Sequence, residues 1–346
     1  MTLLPRLPPQ PGGTPWPTAQ WPEAPLASDV DRERIEAAAA RAFVDPAPAT
    51  HGETFVWLVA HRGQLVFERY ADGRSPEETF VSWSMAKSML HALVGVLVGE
   101  GRLDVSQPAP VEGWRGEGDP RGAITLDHLL RMVDGLDFFE DYEDGRRSDA
   151  LEMLFKSGKD DVAAYAESRP LAHRPGTWWS YSSGSSNVIS ALVGRAAGDG
   201  EPGMRAFMRR VLFDRIGMAS AKPRFDAAGT FIGSSYVFAT ARDFARFGLL
   251  YLRDGVWEDE RILPEGWVDH ARSITPASSG WYGAHWWHAL HDDGIFTANG
   301  FNGQYILVDP RRDLVMVRLG LSSPEQRAHV IRDLREVVES FTPLKA

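Results

Sequence analysis

The chain has 346 residues, a net charge of −10 and no cysteine, with 43% hydrophobic and 24% charged residues. That is apolar material enough for one large or two ordinary domains, and the charged fraction excludes a mainly disordered chain. The acidic balance argues against a nucleic-acid partner, and the missing cysteines exclude a disulfide scaffold, a thiol nucleophile and any Cys-ligated metal.

Residues 1–27, rich in Pro and Gly, read as an extended leader lying on the surface. They lack a basic segment followed by a continuous apolar run. The longest apolar-rich stretch, Met89 to Val98, is shorter than the roughly 20 residues that span a bilayer. A soluble, cytoplasmic protein with no membrane partner is expected. Asp29 to Phe43 predicts a helix, because Ile35, Ala38, Ala39 and Ala42 share a face. Thr54 to Ala60 and Gln64 to Tyr70 predict two strands joined at His61-Arg62-Gly63. A helix follows from about Ser84 to Gly101.

The middle, 106–224, reads as mostly helical. Thr125 to Met132 is a short capped helix, and Asp149 to Ser168, Ser185 to Ala197 and Gly203 to Gly217 are further helical runs. Thr240 to Asp254 is amphipathic, with Phe244, Phe247, Leu250 and Tyr251 on one side. Gly303 to Val308 and Leu314 to Leu319 predict a hairpin across Asp309-Pro310-Arg311-Arg312-Asp313, and Ala328 to Ser340 closes the chain as a helix. Strands at both ends suggest one sheet with a helical insertion. The expected division is 1–40 as leader and first helix and 41–346 as one domain. Its sheet part is 41–105 plus 225–346, and its helical part is 106–224.

Three segments carry candidate chemistry. Ser84-Met85-Ala86-Lys87 opens an apolar helix, and residues three apart share a helix face, so the amine reaches the hydroxyl. A serine needs a base to become a nucleophile, and a lysine serves only if burial or nearby charge lowers its pKa. The chain has only five lysines, and placing one at the head of a buried helix is costly unless it is paired or neutral. Tyr181, in Trp178-Trp179-Ser180-Tyr181-Ser182-Ser183, places a phenol just before a helix, where it can relay a proton. The competing reading is an aromatic packed on its tryptophans. Thr297 to Gln304 enters a strand through Asn299-Gly300, and an edge strand there can complete an oxyanion hole with the Ser84 N–H. A plain glycine turn is the alternative.

The order Ser-x-x-Lys, Tyr, then a Gly-containing strand resembles the serine β-lactamase-like hydrolases. Leu126-Asp127-His128-Leu129-Leu130 through Gly135-Leu136 resembles the family's "HLL…SGL" stretch. Arg174-Pro175-Gly176 with Tyr181-Ser182-Ser183 resembles its "PGxxxxYS" stretch, and Gly233 to Gly248 its "G…AtArDlaRfG" segment. The resemblance spans about 50–340 and looks closest to 6-aminohexanoate-dimer hydrolases and related class C-like carboxylesterases. It implies an α/β (α+β) fold of the β-lactamase/transpeptidase type, an antiparallel sheet flanked by helices. It also implies Ser84 as acyl nucleophile, Lys87 as proton acceptor, Tyr181 as partner base and acid, and the N–H groups of Ser84 and Phe301 as oxyanion hole. Tyr142, Asn299 and Gly300 are implied as substrate contacts. Whether Lys87 or Tyr181 is the general base stays open.

Two departures narrow the substrate. The family's "Tyr-x-Asn" is Tyr181-Ser182-Ser183 here, and its "Lys-Thr-Gly" is Ala298-Asn299-Gly300. The lost lysine binds carboxylates of β-lactams and cell-wall peptides in the family. The expectation is therefore a cofactor-free serine hydrolase of esters or small linear amides. β-Lactamase or D-amino-peptidase activity, or a non-catalytic binding module, are the alternatives, and a homodimer stays open. His285, His288 and His291 read as packed or surface histidines rather than metal ligands. Trp281, Trp286 and Trp287 read as core or cleft wall. Glu140-Asp141 and Glu258-Asp259-Glu260 read as solvated surface, with Asp141 or Glu143 attracting a cationic substrate end only if that loop borders the cleft.

Overall fold

Alternation explains the central strand. In Glu53–His61 (β1), Val56, Leu58 and Ala60 point into one apolar cluster while Trp57 and Val59 point into another. Both faces are covered, so the strand reads as nearly continuous apolar sequence. The computed structural model describes residues 4–44, 47, 49–142, 147–288 and 294–345.

In chain order the elements begin with α1 (Arg32–Ala42), β1, β2 (Gln64–Tyr70), β3 (Phe80–Val81) and α2 (Met85–Gly99). The helical middle holds α3 (Leu126–Leu130), α4 (Asp149–Phe155), α5 (Val162–Glu167), α6 (Ser183–Ala197) and α7 (Gly200–Met208). Then come β4 (Lys222–Pro223), β5 (Val237–Ala239), α8 (Ala241–Leu252), β6 (Val256–Trp257), β7 (Glu260–Arg261) and α9 (Trp267–Arg272). The chain closes with β8 (Phe296–Gly300), β9 (Gln304–Asp309), β10 (Leu314–Leu321) and α10 (Arg327–Glu339).

The main sheet has the order β2-β1-β10-β9-β8, and every neighbouring pair is antiparallel. The two chain ends build it, as the sequence pattern predicts. α1 and α10 cover one face; α2 and α8 pack in the larger cluster on the other. The small sheet β3-β5-β4 abuts the start of α2. Among the described residues, no helix is long and apolar enough to cross a membrane.

Three expectations need correction. Asp149 to Ser168 is two helices, because Asp161 starts a new one by accepting the Ala164 N–H at 2.9 Å. The turn between them is packed tightly: a Cβ on Gly158 would lie 2.7 Å from the Tyr165 ring. The run expected from Gly203 begins at Gly200, and Pro202 is tolerated because a first-turn N–H has no helical partner anyway. That run then widens into a π turn over Arg209–Phe213. The leader is extended but does not merely lie on the surface. Trp21 is buried and donates to the Arg242 carbonyl at 3.1 Å, and the Arg246 guanidinium holds the Pro17 carbonyl at 2.7 Å.

Arg253 is the tightest of these sutures. Its buried guanidinium binds Asp313 at 2.5 Å in the β9–β10 turn, the Pro8 carbonyl at 3.2 Å and Gln10 at 2.9 Å. Arg253→Met leaves the Asp313 charge uncompensated and releases the leader. The expected loss is about 3–5 kcal/mol in denaturant unfolding. Unfolding that matches the parent protein would refute this role.

Candidate active site

Ser84 stands at the N-cap of α2, but its side chain makes no cap bond. Trp83 before it adopts φ 45°, a strained conformation for a bulky residue, costing on the order of 1–3 kcal/mol. The turn is held from outside: Ser82 N–H donates to the Val237 carbonyl at 2.9 Å, and Ser82 Oγ accepts the Val237 N–H at 3.0 Å. The Trp83 ring packs on Tyr236 and edge-on to Phe301, 5.6 and 5.9 Å between centroids.

One helical turn on, Lys87 is only 2% exposed. Its Nζ donates to Ser84 Oγ at 3.1 Å, Ser183 Oγ at 3.1 Å and the Ser234 carbonyl at 2.8 Å. All three acceptors are neutral. Burial pushes Lys87 down to about 8, with the Glu140 charge partly opposing the shift. The amine is thus neither lost in an apolar core nor locked in an ion pair.

Tyr181 arrives by a different route. Gly176, at φ 83°, turns the chain so that its N–H meets the Val133 carbonyl at 2.7 Å, and Ser180 N–H meets the Met132 carbonyl at 3.0 Å. Ser182 then caps α6 by accepting the Ser185 N–H at 3.0 Å. Between these anchors the Tyr181 phenol faces the Ser84 hydroxyl, and the Lys87 Nζ lies 4.9 Å from its ring centroid. Trp287 and Tyr282 wall the ring at 5.1 and 6.0 Å. Burial first, and Glu140 second, raise the phenol well above its ordinary pKa.

The edge strand β8 supplies the facing wall. A Cβ on Gly300 would lie 2.4 Å from the Ser82 carbonyl oxygen, so only glycine lets this strand come against the nucleophile turn. Ser84, Tyr142, Tyr181, Asn299, Gly300 and Phe301 all line one cavity of about 580 Å³. The structure therefore brings every implied catalytic, oxyanion-hole and substrate-contact residue together, with Lys87 directly behind Ser84. Asn299 Oδ1 has no hydrogen-bond partner among the described residues, leaving an acceptor at the wall. Tyr142 packs 5.1 Å from Phe301.

Several neighbours escaped the sequence. Glu140, expected as solvated surface, lines the cavity. It accepts the Ser183 N–H at 2.6 Å, the Ser183 hydroxyl at 3.2 Å and the Tyr142 hydroxyl at 2.6 Å. Its place beside Tyr142 in the acidic loop was the available clue. The Ser234 carbonyl is set by Asn187, whose Oδ1 accepts the Ser234 N–H at 3.2 Å. Nothing in the local sequence announces that contact. Trp281 and Trp287 line the cleft and Trp286 is core, as expected. His285 is also core: it faces Ser186 Oγ at 3.0 Å and the Leu130 carbonyl at 2.8 Å, and burial pushes it down to about 3. His291 and Glu143 lie outside the described residues.

Gly300→Ala is expected to lower kcat about 10- to 100-fold and to cost about 1–3 kcal/mol of stability, by pushing β8 away from the Ser82 carbonyl and moving a donor off the Ser84 turn. Ester-hydrolysis kinetics on the folded variant check this; parental kcat would count against the close approach.

Comparison with known proteins identifies the family. The family model described as Beta-lactamase matches residues 40–338. A 6-aminohexanoate-dimer hydrolase of Paenarthrobacter ureafaciens is 27% identical over 286 residues, 77% of this chain and 72% of that one. A Bacillus anthracis structure assigned as a 6-aminohexanoate-dimer hydrolase superposes with TM-score 0.75 at 22% identity, covering 93% of this chain and 87% of that one. A family VIII carboxylesterase superposes with TM-score 0.66 at 14% identity, covering 92% and 99%. The chain belongs to the beta-lactamase family and is a hydrolase of that family.

Proposed function

We propose that the protein hydrolyses an ester or a small linear amide through an acyl-enzyme on Ser84. One observation carries the reading: a fully buried amine, 3.1 Å from the Ser84 hydroxyl, with no carboxylate in contact and a pKa pushed down to about 8. Near neutral pH a useful fraction of Lys87 is uncharged and accepts the Ser84 proton as the Ser84 oxygen bonds to the substrate carbonyl carbon. Tyr181 is the weaker candidate for that first proton, because burial and Glu140 both disfavour its phenolate. It acts as a phenol, relaying the proton from Lys87 to the departing alcohol or amine. The backbone N–H groups of Ser84 and Phe301 receive the oxyanion. A water then attacks the acyl carbon, Lys87 takes its proton, and the acid leaves as Ser84 is regenerated.

The relatives' names, a linear-amide hydrolase and a carboxylesterase, support this substrate class. So does Ala298 where the β-lactam-binding lysine of the family would stand.

Ser84→Ala is expected to abolish labelling by a fluorophosphonate and to cut hydrolysis of p-nitrophenyl esters and 6-aminohexanoate dimer on the order of 10³-fold or more. Intact-protein mass spectrometry and a substrate panel including nitrocefin read this out. Unchanged turnover would remove Ser84 from the reaction, and the absence of any adduct on the parent protein would favour a binding module.

The pH profile is a separate check. Only the deprotonated amine accepts a proton, so kcat/KM for a neutral ester is expected to rise with pH through a midpoint near 8. Lys87→Arg keeps its charge at every accessible pH and is expected to lose about 10²- to 10⁴-fold. A flat profile from pH 6 to 9, or an active arginine variant, would reject Lys87 as base.

A further inference from the structure

The charge around the nucleophile is inverted relative to what an anion-binding site needs. At the reacting end, the "Lys-Thr-Gly" position carries Ala298, so the wall beside Ser84 presents no cation there. A carboxylate stands close by instead. Glu140 is joined to the reacting groups by a short chain of hydrogen bonds: Lys87 donates to Ser183 Oγ, and the Ser183 hydroxyl and N–H both donate to Glu140. The start of α6 holds that carboxylate, since a helix N-terminus favours negative charge. Tyr142, on the cavity wall, gives it a further bond. Glu140 therefore stands two hydrogen bonds from Lys87 and three from Ser84, in the same cavity that receives the substrate.

Among the described residues, the other charged ones lining the cavity are Asp141 and Arg327. Asp141 has the same sign as Glu140. Arg327 starts α10 and acts on Tyr305, whereas Glu140 acts on Lys87, Tyr142, Tyr181 and Tyr282. When Lys87 is neutral and able to accept a proton, the charge linked by hydrogen bonds to Ser84 is therefore the Glu140 carboxylate, while Arg327 acts on Tyr305. Most of the remaining lining is aromatic or apolar, including Trp281, Trp287, Phe301, Tyr305 and Ile331, with Asn299 a neutral polar exception.

We propose that Glu140 is a specificity-determining residue that rejects anionic substrates at the reacting centre, restricting this hydrolase to esters and linear amides that are neutral or cationic beside the scissile carbonyl. This rests on the Ser84 acyl-enzyme reading. It goes further by naming a substrate class and the side chain that enforces it. An anion brought into the cleft loses water and meets like charge at low effective dielectric. A cation or a neutral group does not.

Matched esters test it. One series carries the charge on the acyl chain: p-nitrophenyl esters of 4-(trimethylammonio)butyrate, its neutral isostere 5,5-dimethylhexanoate, and 4-sulfobutyrate. A second series carries the same groups on the alcohol and is followed by pH-stat. The parent protein is expected to favour cationic over sulfonate ester in kcat/KM, in at least one series, by on the order of tenfold or more. Glu140→Gln, which keeps an acceptor for Ser183, is expected to shrink that ratio about tenfold, and Glu140→Asp to keep most of it. The ratio is insensitive to a general loss of activity. A parent protein that prefers sulfonates in both series overturns the proposal even if the variants fail to fold. A Glu140→Gln variant with turnover but the parental ratio overturns it too. Persistent turnover in Ser84→Ala would instead sink the acyl-enzyme reading, so the two failures are distinguishable.

Discussion

The molecule is organised around one desolvated amine. Lys87 sits inside a helix that is buried almost all round, where a charged ammonium is costly and a hydrogen-bonded neutral amine is tolerable. Three neutral oxygens from three separate parts of the chain accept its hydrogen bonds: the α2 start, the α6 start and the loop before β5. Each must be within about 3 Å, so the position of Lys87 constrains how the helical middle docks on the sheet. The strained Trp83 turn is the local cost of aiming Ser84 at the amine rather than at its own helix N-terminus.

The division of labour between lysine and tyrosine follows from electrostatics rather than proximity. Lys87 is buried and Tyr181 half-buried beside Ser84, and loss of water acts in opposite senses on the two. It favours the neutral amine, which is a base, and the neutral phenol, which is an acid. Glu140 pushes both pKa values up, keeping Lys87 from falling further and Tyr181 from ionising. One carboxylate thus tunes the pair while also setting the sign of the cleft. Ser183 couples the two groups: its small hydroxyl accepts from Lys87 and donates to Glu140 at once.

The fold serves this arrangement by bringing distant segments to one edge. β8 can meet the Ser82–Ser84 turn because it is the last strand of the sheet and because Gly300 has no Cβ. Trp287 pairs with Thr297 on the outer side of β8 and packs on Tyr181, so the strand that faces the nucleophile also carries the support for the phenol. The leader is tied to α8 through Arg246 and, through Arg253, to the β9–β10 turn as well.

Periodic and short-range features were legible in the sequence alone. The buried faces of α1 and α8, the β1–β2 and β9–β10 hairpins, and Ser84 one turn before Lys87 all follow from spacing and turn chemistry, because each depends on residues a few positions apart. Tyr181 and the strand entered through Asn299-Gly300 also stood out, each beside a plain structural alternative, and the family resemblance tied them to Ser84 and Phe301. Tertiary structure decided the rest. The break between α4 and α5 depends on a new cap and on Gly158 packing under Tyr165, which no periodicity records. The leader's burial depends on arginines more than two hundred residues away. Glu140 reads as solvated surface in one dimension, because a carboxylate in an acidic loop carries no local mark of the helix N-terminus and the serine that fold onto it.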